Sequence, residues 1–227
     1  MQSPKPAGET PAAEKVFVSW SGGKDAYLAL LKAREMGLEP CRLLNFNDAG
    51  GYSRSHGLPE ALLRRQAEAL GLTLETEAVT WETYEAGFIN AVTRLKKEGI
   101  TGGVFGDICL DEHREWVEKI CNRCGISPYL PLWGMGERQV PEELLRRGAR
   151  VVVVAVRTDL VEESMLGREL DQPFLDYCEA RKLSPCGEGG EYHTLVVSGP
   201  LFREPLTYQR VGVDHHGNFA CLKLAAE

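Results

Sequence analysis

Five consecutive residues near the start of the chain, Ser21-Gly22-Gly23-Lys24-Asp25, have the composition of an anion-binding loop. The two glycines let an anion approach the main chain without a Cβ in the way, and unpaired N–H groups at the start of a helix attract negative charge. Lys24 would add a full positive charge at the same place. The segment therefore predicts a phosphate-binding loop. The alternative is a plain turn in which Asp25 caps a helix and Lys24 is a solvated side chain.

Two widespread phosphate-binding loops do not fit the spacing of this segment. A Walker loop needs a glycine five residues before the Gly-Lys pair and a Ser or Thr after it, but Val18 and Asp25 occupy those positions. A dinucleotide-binding loop needs the spacing G-x-G-x-x-G, which the segment lacks. The string instead resembles the PP-loop of the ATP pyrophosphatases, enzymes that cleave ATP between its α and β phosphates. The resemblance implies that residues 21–25 hold the pyrophosphate of ATP.

A second candidate site lies near the end of the chain, in the segment PCGEGGEYHT at residues 185–194. It places Glu188 and Glu191 on either side of a Gly-Gly pair. Two carboxylates on such a loop could hold a magnesium ion, orient an ammonium ion or act as a base. A solvent-exposed turn of Glu and Gly is the alternative.

Alternating strand and helix signals surround the first motif. Apolar runs predict five strands, and a helical pattern follows each of the first four. The predicted strands are residues 16–18, 41–46, 72–79, 103–106 and 128–132. The predicted helices are residues 26–36, 59–71, 82–98 and 110–124. Short connections between such units imply an α/β fold, with a parallel five-stranded sheet and helices on both faces. Ligands in that architecture bind beyond the carboxyl ends of the strands.

Several candidate residues follow the predicted strands and should share that ligand-binding edge. We expect His56 to contact adenine or phosphate, unless it is a polar loop residue with an internal partner. Gly106 ends the fourth strand and Asp107 follows it, and Trp133 and Gly134 follow the fifth. Asp107 is a candidate ligand for Mg²⁺, and the indole of Trp133 could stack on the base or fill the core.

The pattern changes after about residue 136. Short helices at residues 140–147 and 171–182 flank an apolar strand at 151–156, and β runs follow at 194–199, 206–214 and 219–224, with a hairpin turn over residues 215–218. We therefore divide the chain into a tail at residues 1–14, an ATP-binding domain at 15–135 and a smaller α+β domain at 136–227. The second domain should pack across the ligand-binding edge.

Bulk composition excludes several classes of protein. With 43% hydrophobic and 26% charged residues the chain is an ordinary globular protein, and a formal charge of −7 disfavours a broad electrostatic contact with nucleic acid. No apolar run reaches the ~20 residues that cross a bilayer, so we expect a cytoplasmic protein without membrane contact, with a mobile N-terminal tail. The seven cysteines do not suggest a disulfide framework, and we expect Cys121 and Cys124 to be ordinary helix residues.

The two motifs together, SGGKD early in the chain and EGGEYHT followed by GPLF late in it, resemble the diphthine–ammonia ligase family of PP-loop enzymes. The segments SHGLPEALLRRQAEALGL, FGDICLDEHREW and PLWG add to the likeness, which is strongest to the compact prokaryotic-type members. The family's loop usually continues with Ser, and this chain has Ala26 there, so one hydroxyl that could contact phosphate is absent.

The resemblance implies an ATP-dependent amide ligase. A carboxylate on diphthine-bearing elongation factor 2 would attack the α-phosphate, pyrophosphate would leave, and free ammonium would supply the nitrogen that displaces AMP. Residues 21–25 would bind ATP, with Lys24 stabilising the leaving pyrophosphate and Asp25 and Asp107 holding Mg²⁺. Glu188 and Glu191 would bind and deprotonate ammonium.

Two other functions stay open from the sequence. One is a PP-loop enzyme that acts on a small molecule or a tRNA base. Sulfur transfer to tRNA would need a basic face and an exposed cysteine pair near the adenylate; the acidic balance disfavours this function, and Cys186 beside the acidic loop keeps it open. A nucleotide sensor would bind ATP without turnover. A homo-oligomer is possible under each function.

Overall fold

Five strands form a parallel sheet in the first half of the computed structural model, which describes residues 12–227: β1 (Lys15–Ser19), β2 (Glu39–Asn47), β3 (Thr73–Ala78), β4 (Gly102–Val104) and β5 (Ser127–Tyr129). Their order is β3-β2-β1-β4-β5. The direction of winding reverses between β1 and β4, so a crevice opens at the carboxyl ends of these two strands.

Four helices cover both faces of this sheet: α1 (Lys24–Glu35), α2 (Glu60–Leu70), α3 (Tyr84–Lys97) and α4 (Asp111–Cys124). The alternating side chains of β1 divide them. Val16 and Val18 share a buried cluster with residues of α1 and α2, whereas Phe17 packs in a second cluster with residues of α3 and α4. The predicted α/β architecture with helices on both faces is confirmed.

Helix α1 and the two short strands differ from the sequence prediction. Helix α1 begins at Lys24, two residues earlier than predicted, with Gly23 as its N-cap, so Lys24 and Asp25 belong to the first helical turn. Strands β4 and β5 contain only three residues each. The chain leaves β5 early because the Trp133 N–H donates to the Leu130 carbonyl at 3.1 Å and closes a turn.

The C-terminal part contains two helices and four strands: α5 (Gln139–Arg146), β6 (Arg150–Arg157), α6 (Gln172–Ala180), β7 (Tyr192–Ser198), β8 (Tyr208–His216) and β9 (Phe219–Ala226). The strands form an antiparallel sheet in the order β7-β6-β9-β8. The hairpin turn is shorter than predicted, because His215 and His216 are the last paired residues of β8 and only Gly217 and Asn218 form the turn. Two-residue turns of this kind match the twist of the paired strands.

The two parts of the chain share a hydrophobic core. One buried cluster contains Leu28 of α1, Val153 of β6 and Leu195 of β7. Strand β7 also bonds directly to the loop after β1, since the Val196 N–H donates to the Gly22 carbonyl at 3.0 Å. The C-terminal sheet is therefore positioned to close the ligand-binding edge of the first sheet.

Most of the predicted N-terminal tail, residues 1–11, lies outside the described residues. Glu14, the last residue of the predicted tail, accepts hydrogen bonds from the Tyr129 hydroxyl at 2.6 Å and the Thr101 hydroxyl at 3.0 Å. Across residues 12–227, no helix combines the length and the apolar character that crossing a bilayer requires.

Candidate active site

The loop after β1 adopts a backbone that glycine favours. Gly22 has φ +83°, and a Cβ built on it would lie 2.6 Å from a methyl carbon of Leu63. A side chain at this position would therefore be both strained and in collision with α2. The loop packs closely against α2, and its first glycine allows both the positive φ and the close contact.

Gln66, a fully buried residue of α2, holds this loop from behind. Its Nε2 donates to the Gly22 carbonyl at 3.0 Å and to the Val196 carbonyl at 2.7 Å, and its Oε1 accepts from the Trp20 indole N–H at 2.9 Å. Because carbonyls only accept and the indole only donates, the orientation of the amide is fixed. Gln66 thus ties α2, the loop and β7 together.

Thr194 of β7 adds two further bonds to the loop region. Its hydroxyl accepts the Lys24 N–H at 3.1 Å, and its carbonyl accepts from His56 Nδ1 at 2.9 Å. The Lys24 amide is therefore occupied and does not face a ligand. Within residues 12–227, no acceptor lies within hydrogen-bond distance of the backbone N–H groups of Ser21, Gly22, Asp25 and Ala26. These amides are the donors that an anion could use.

The Lys24 side chain is buried, with 4% of its surface exposed, and it does not extend into solvent. Its Nζ lies 2.8 Å from Asp25 Oδ2 and 5.5 Å from the centre of the Tyr192 ring. Burial by itself lowers the pKa of Lys24, but the nearby Asp25, Cys186 and Glu188 outweigh it and raise the pKa above its usual value. The ammonium group is therefore charged and lies just behind the carboxylate of Asp25.

A cavity of about 380 Å³ opens at the crevice between β1 and β4. The residues that line it include Ser21, Asp25, Ala26, Asn45, Arg54, His56, Trp81, Tyr84, Gly106, Asp107, His113, Glu188, Gly190 and His193. Gly106 allows the end of β4 to touch the start of α1, because a Cβ there would lie 2.9 Å from the backbone of Asp25. The cavity joins both sequence motifs.

Three carboxylates converge on this cavity. Burial raises the pKa of Asp107 and of Glu188, and the negative charge of Asp25 raises both further, whereas His113, 3.2 Å from Asp107, opposes the rise at Asp107. Asp25 Oδ1 is buried without a hydrogen-bond partner among the described residues. A cation in the cavity would relieve both the repulsion and the unpaired oxygen.

The residues present fit Mg²⁺ held together with phosphate. No group of three or more His, Cys, Asp or Glu side chains within residues 12–227 is close enough to bind a metal unaided. Mg²⁺ usually needs only one or two carboxylates, with substrate phosphates and waters completing its shell. Asp25 and Asp107 could supply those carboxylates.

Two histidines form one wall of the cavity. The rings of His56 and His193 stack at 4.7 Å between centroids, and Phe219 stacks on the far side of His193 at 6.0 Å. Burial lowers the pKa of His56 well below its usual range and lowers the pKa of His193 to about 4, with the positive charge of Lys24 adding to both shifts. Both rings are neutral at pH 7. His56 therefore carries its proton on Nδ1, where the Thr194 carbonyl accepts it.

Six predicted site residues do not line the cavity: Gly22, Gly23, Lys24, Trp133, Gly134 and Glu191. Glu191 is 7% exposed, and its Oε1 accepts the Ser184 N–H at 3.0 Å, within its own loop. Trp133 is half-buried beneath the guanidinium of Arg114, which lies 5.1 Å from its ring centre. Gly134 is exposed and donates its N–H to the Ile108 carbonyl at 2.9 Å. Glu188, by contrast, reaches the cavity.

Two family models match this chain. The model of the diphthamide synthase N-terminal domain covers residues 14–128, and the model of the C-terminal domain covers residues 137–224. The chain belongs to the diphthamide synthase family. Several relatives named diphthine–ammonia ligase are similar to this family member along most of its length. The Bos taurus protein is 26% identical over an alignment of 222 positions, which spans 86% of this chain and 83% of the relative. The Homo sapiens protein is 26% identical over an alignment of 212 positions, which spans 82% of this chain and 79% of the relative.

A longer relative shows the same likeness. The diphthine–ammonia ligase of Schizosaccharomyces pombe is 26% identical over an alignment of 238 positions, which spans 93% of this chain but 39% of the relative. The resemblance of the motifs to this family is thus confirmed.

The cysteines singled out in the sequence, Cys121, Cys124 and Cys186, do not have the lowered thiol pKa that favours sulfur transfer. All seven cysteines, each within residues 12–227, are free thiols. Cys121 and Cys124 lie on α4 as predicted, and burial raises the pKa of Cys121 to about 12. Cys186 is buried, and burial raises its pKa to about 12 despite the nearby Lys24. A thiol with such a pKa is a poor nucleophile at neutral pH.

Several residues of the cavity were not predicted from the sequence, among them Arg54, Trp81 and Tyr84. Arg54 lies in the loop after β2, Trp81 follows β3, and Tyr84 begins α3. The rule that ligands bind beyond the carboxyl ends of strands, if applied also to β3, would have identified Trp81. No short motif marks Arg54, because its role depends on the position of Trp81.

Proposed function

We propose that this protein is an ATP-dependent carboxylate–ammonia ligase of diphthamide biosynthesis, with diphthine-bearing elongation factor 2 as its acceptor. The observation that carries the proposal is one cavity lined by both the phosphate-binding loop and Glu188 of the acidic loop. Membership of the diphthamide synthase family and the names of the relatives support it. A cytoplasmic location belongs to the same proposal.

The reaction takes place in two steps. An oxygen of the acceptor carboxylate attacks the α-phosphorus, the bond to the bridging oxygen of the β-phosphate breaks, and pyrophosphate leaves with that electron pair. Ammonia then attacks the acyl carbon, AMP leaves with the acyl oxygen that joined it, and the nitrogen loses one further proton. The products are an amide, AMP and pyrophosphate.

The loop after β1 would stabilise the leaving pyrophosphate. The free amides of Ser21, Gly22 and Asp25 can donate to phosphate oxygens, and Lys24 supplies a positive charge that Asp25 partly neutralises. Bound Mg²⁺ would neutralise phosphate charge during the first step. Asp25 and Asp107 would hold it, and His113 would orient the Asp107 carboxylate from 3.2 Å.

Glu188 would attract ammonium and accept its proton. Its carboxylate faces the cavity, and its pKa is raised by burial and by Asp25, which makes it a better proton acceptor than an ordinary glutamate. For Glu191 we propose an indirect role, because its Oε1 holds the Ser184 N–H and so shapes the loop that carries Glu188. His56 and Gly106 are proposed nucleotide contacts, and Trp133 and Gly134 would support the cavity wall.

The test is acceptor-dependent AMP formation. Purified protein is incubated with ATP, Mg²⁺ and ammonium, with and without diphthine-bearing elongation factor 2, and AMP, ADP and the amide product are measured. We expect one AMP for each amide formed, and only with the acceptor. Formation of ADP would overturn the proposal. ATP binding without turnover on any carboxylate would instead indicate a nucleotide sensor.

A further inference from the structure

A second cavity, of about 590 Å³, adjoins the nucleotide cavity. It lies between the loop after β2, Trp81 and the β8–β9 hairpin, so both parts of the chain form its walls. Arg54 and Trp81 line both cavities. A molecule in the second cavity would therefore meet a nucleotide in the first one at these two side chains.

Arg54, at this junction, has a positive charge that no ion pair within residues 12–227 neutralises. No Asp or Glu within residues 12–227 lies within 4.0 Å of its guanidinium, although most other arginines of this part of the chain form such ion pairs. Its Nη1 donates to the Val79 carbonyl at 3.1 Å, and its Nε is buried without an acceptor among the described residues. Its Cζ lies 4.4 Å from the centre of the Trp81 ring. Its Nη2 forms no hydrogen bond among the described residues, so Nη2 and the second N–H of Nη1 can together donate to an anion.

The rim of the second cavity is unusually apolar for a protein surface. Tyr52, Trp81 and Val211 are 48%, 70% and 58% exposed, and all three line this cavity. Val211 belongs to β8, the edge strand of the C-terminal sheet, whose outer backbone groups are unpaired within residues 12–227. Exposed apolar side chains beside an unpaired strand edge favour contact with a polypeptide.

We propose that the second cavity receives the carboxylate-bearing segment of the acceptor protein, and that Arg54 pairs with that carboxylate beside the α-phosphate. The inference rests on the proposed function and assigns the surface by which the acceptor enters. Charge selects Arg54 for this role. The other Lys or Arg side chain that lines the second cavity, Lys223, already pairs with Asp214 at 3.1 Å.

The binding of the carboxylate needs no other residue to move a proton. The acceptor arrives ionised, Arg54 stays charged throughout, and one carboxylate oxygen remains on the guanidinium while the other attacks phosphorus. Arg54 is thus a positioning residue that touches the reacting group, and Trp81 supports its plane. Replacing the planar guanidinium of Arg54 by the ammonium group of a lysine should weaken acceptor binding, although the positive charge is kept.

The test compares four variants in the AMP-forming assay with diphthine-bearing elongation factor 2 as the probe. Arg54→Met removes the charge, Arg54→Lys keeps it without the planar guanidinium, and Val211→Lys alters the apolar rim away from the nucleotide. Met36→Lys is the matched control, because Met36 is 55% exposed but lines neither cavity. The KM for the acceptor, the Kd for ATP and the elution volume of each variant are measured.

We expect KM for the acceptor to rise about 10- to 100-fold in Arg54→Met, less in Arg54→Lys and severalfold in Val211→Lys. The Kd for ATP should stay within about twofold of wild type in all of them, and Met36→Lys should behave as wild type. If Arg54→Met does not fold, the acceptor KM of Val211→Lys provides the test.

Three results would overturn the inference. Equal losses of ATP and acceptor affinity in Arg54→Met would make Arg54 a phosphate ligand. An unchanged acceptor KM in Val211→Lys, with a changed elution volume, would mean that a second copy of the chain covers this surface. Wild-type protein that binds ATP yet shows no turnover with the elongation factor would overturn the proposed acceptor and this inference together, whereas unaffected variants of an active enzyme would overturn this inference alone.

Discussion

The loop that binds phosphate should depend on Gln66, which touches no substrate. We consider Gln66→Met, which keeps the length and the apolar stem of the side chain but removes its amide. The change deletes three buried hydrogen bonds at 2.7 to 3.0 Å, to the Gly22 carbonyl, the Val196 carbonyl and the Trp20 indole. The Gly22 carbonyl keeps one donor, the Val196 N–H at 3.0 Å.

The expected magnitude follows from this count. Two buried groups, the Trp20 N–H and the Val196 carbonyl, lose their bond to Gln66, and each costs about 1–3 kcal/mol when left unpaired. The free energy of unfolding should therefore fall by about 2–6 kcal/mol, which is a large part of the ~5–15 kcal/mol typical of a domain. Loss of one of two bonds to the Gly22 carbonyl should also loosen the loop and weaken ATP binding, by about 2- to 10-fold.

The assay pairs urea unfolding, followed by tryptophan fluorescence, with ATP titration at a temperature where every variant is folded. Leu62→Ala is the matched control, because Leu62 is fully buried on the same helix and its truncation should cost a similar 2–5 kcal/mol. We expect Leu62→Ala to lose stability but to keep its affinity for ATP. If Gln66→Met and Leu62→Ala bound ATP equally well, Gln66 would serve the stability of the fold alone, and the reasoning would be refuted.

Three further predictions concern the cavity. Ala26→Ser restores a hydroxyl at the cavity wall and should lower the KM for ATP about 2- to 10-fold; steady-state kinetics would contradict this with an unchanged or higher KM. Glu188→Gln should slow amide formation at least tenfold with little change in ATP affinity, and equal losses in both would point to a structural role. His193 has a folded pKa of about 4 against its usual 6.5, so the unfolded chain binds more protons between these values and stability falls as the pH drops from 6.5 to 4. The loss in the free energy of unfolding is at most about 3 kcal/mol. The urea midpoint of His193→Asn should fall less steeply with pH over this range than that of the wild type. Parallel pH curves for the two proteins would refute the assignment.

Much of the fold could be predicted from hydrophobic periodicity. Strand β2 and helices α2 to α4 match their predicted ranges to within a few residues, because long apolar patterns with clear Gly and Pro boundaries decide them. The ends of β4 and β5 were predicted less accurately, because three residues are too few to show the alternation of apolar and polar side chains that marks a strand. The start of α1 was also missed, because Gly23 caps it through its backbone and leaves no side-chain signal.

The site could be predicted as a set of motifs but not as a geometry. Ser21 and Asp25 of the early loop meet Glu188 at one cavity, as the shared strand edge suggested. The burial of Lys24 under Tyr192 depends on how β7 packs on the loop, a contact between residues more than 160 positions apart in the chain. Such contacts leave no local pattern. Arg54 could not be predicted for the same reason. Its proposed role depends on the lack of a nearby Asp or Glu among the described residues, which no local pattern reveals.

The central claim is that the acceptor carboxylate attacks the α-phosphate of ATP in the cavity between the two motifs. The most direct test uses an acceptor whose carboxylate is labelled with ¹⁸O, followed by mass spectrometry of the nucleotide product. Adenylation predicts that one ¹⁸O atom is transferred to the phosphate of AMP for each amide formed. AMP without label, or label in inorganic phosphate beside ADP, would contradict the account.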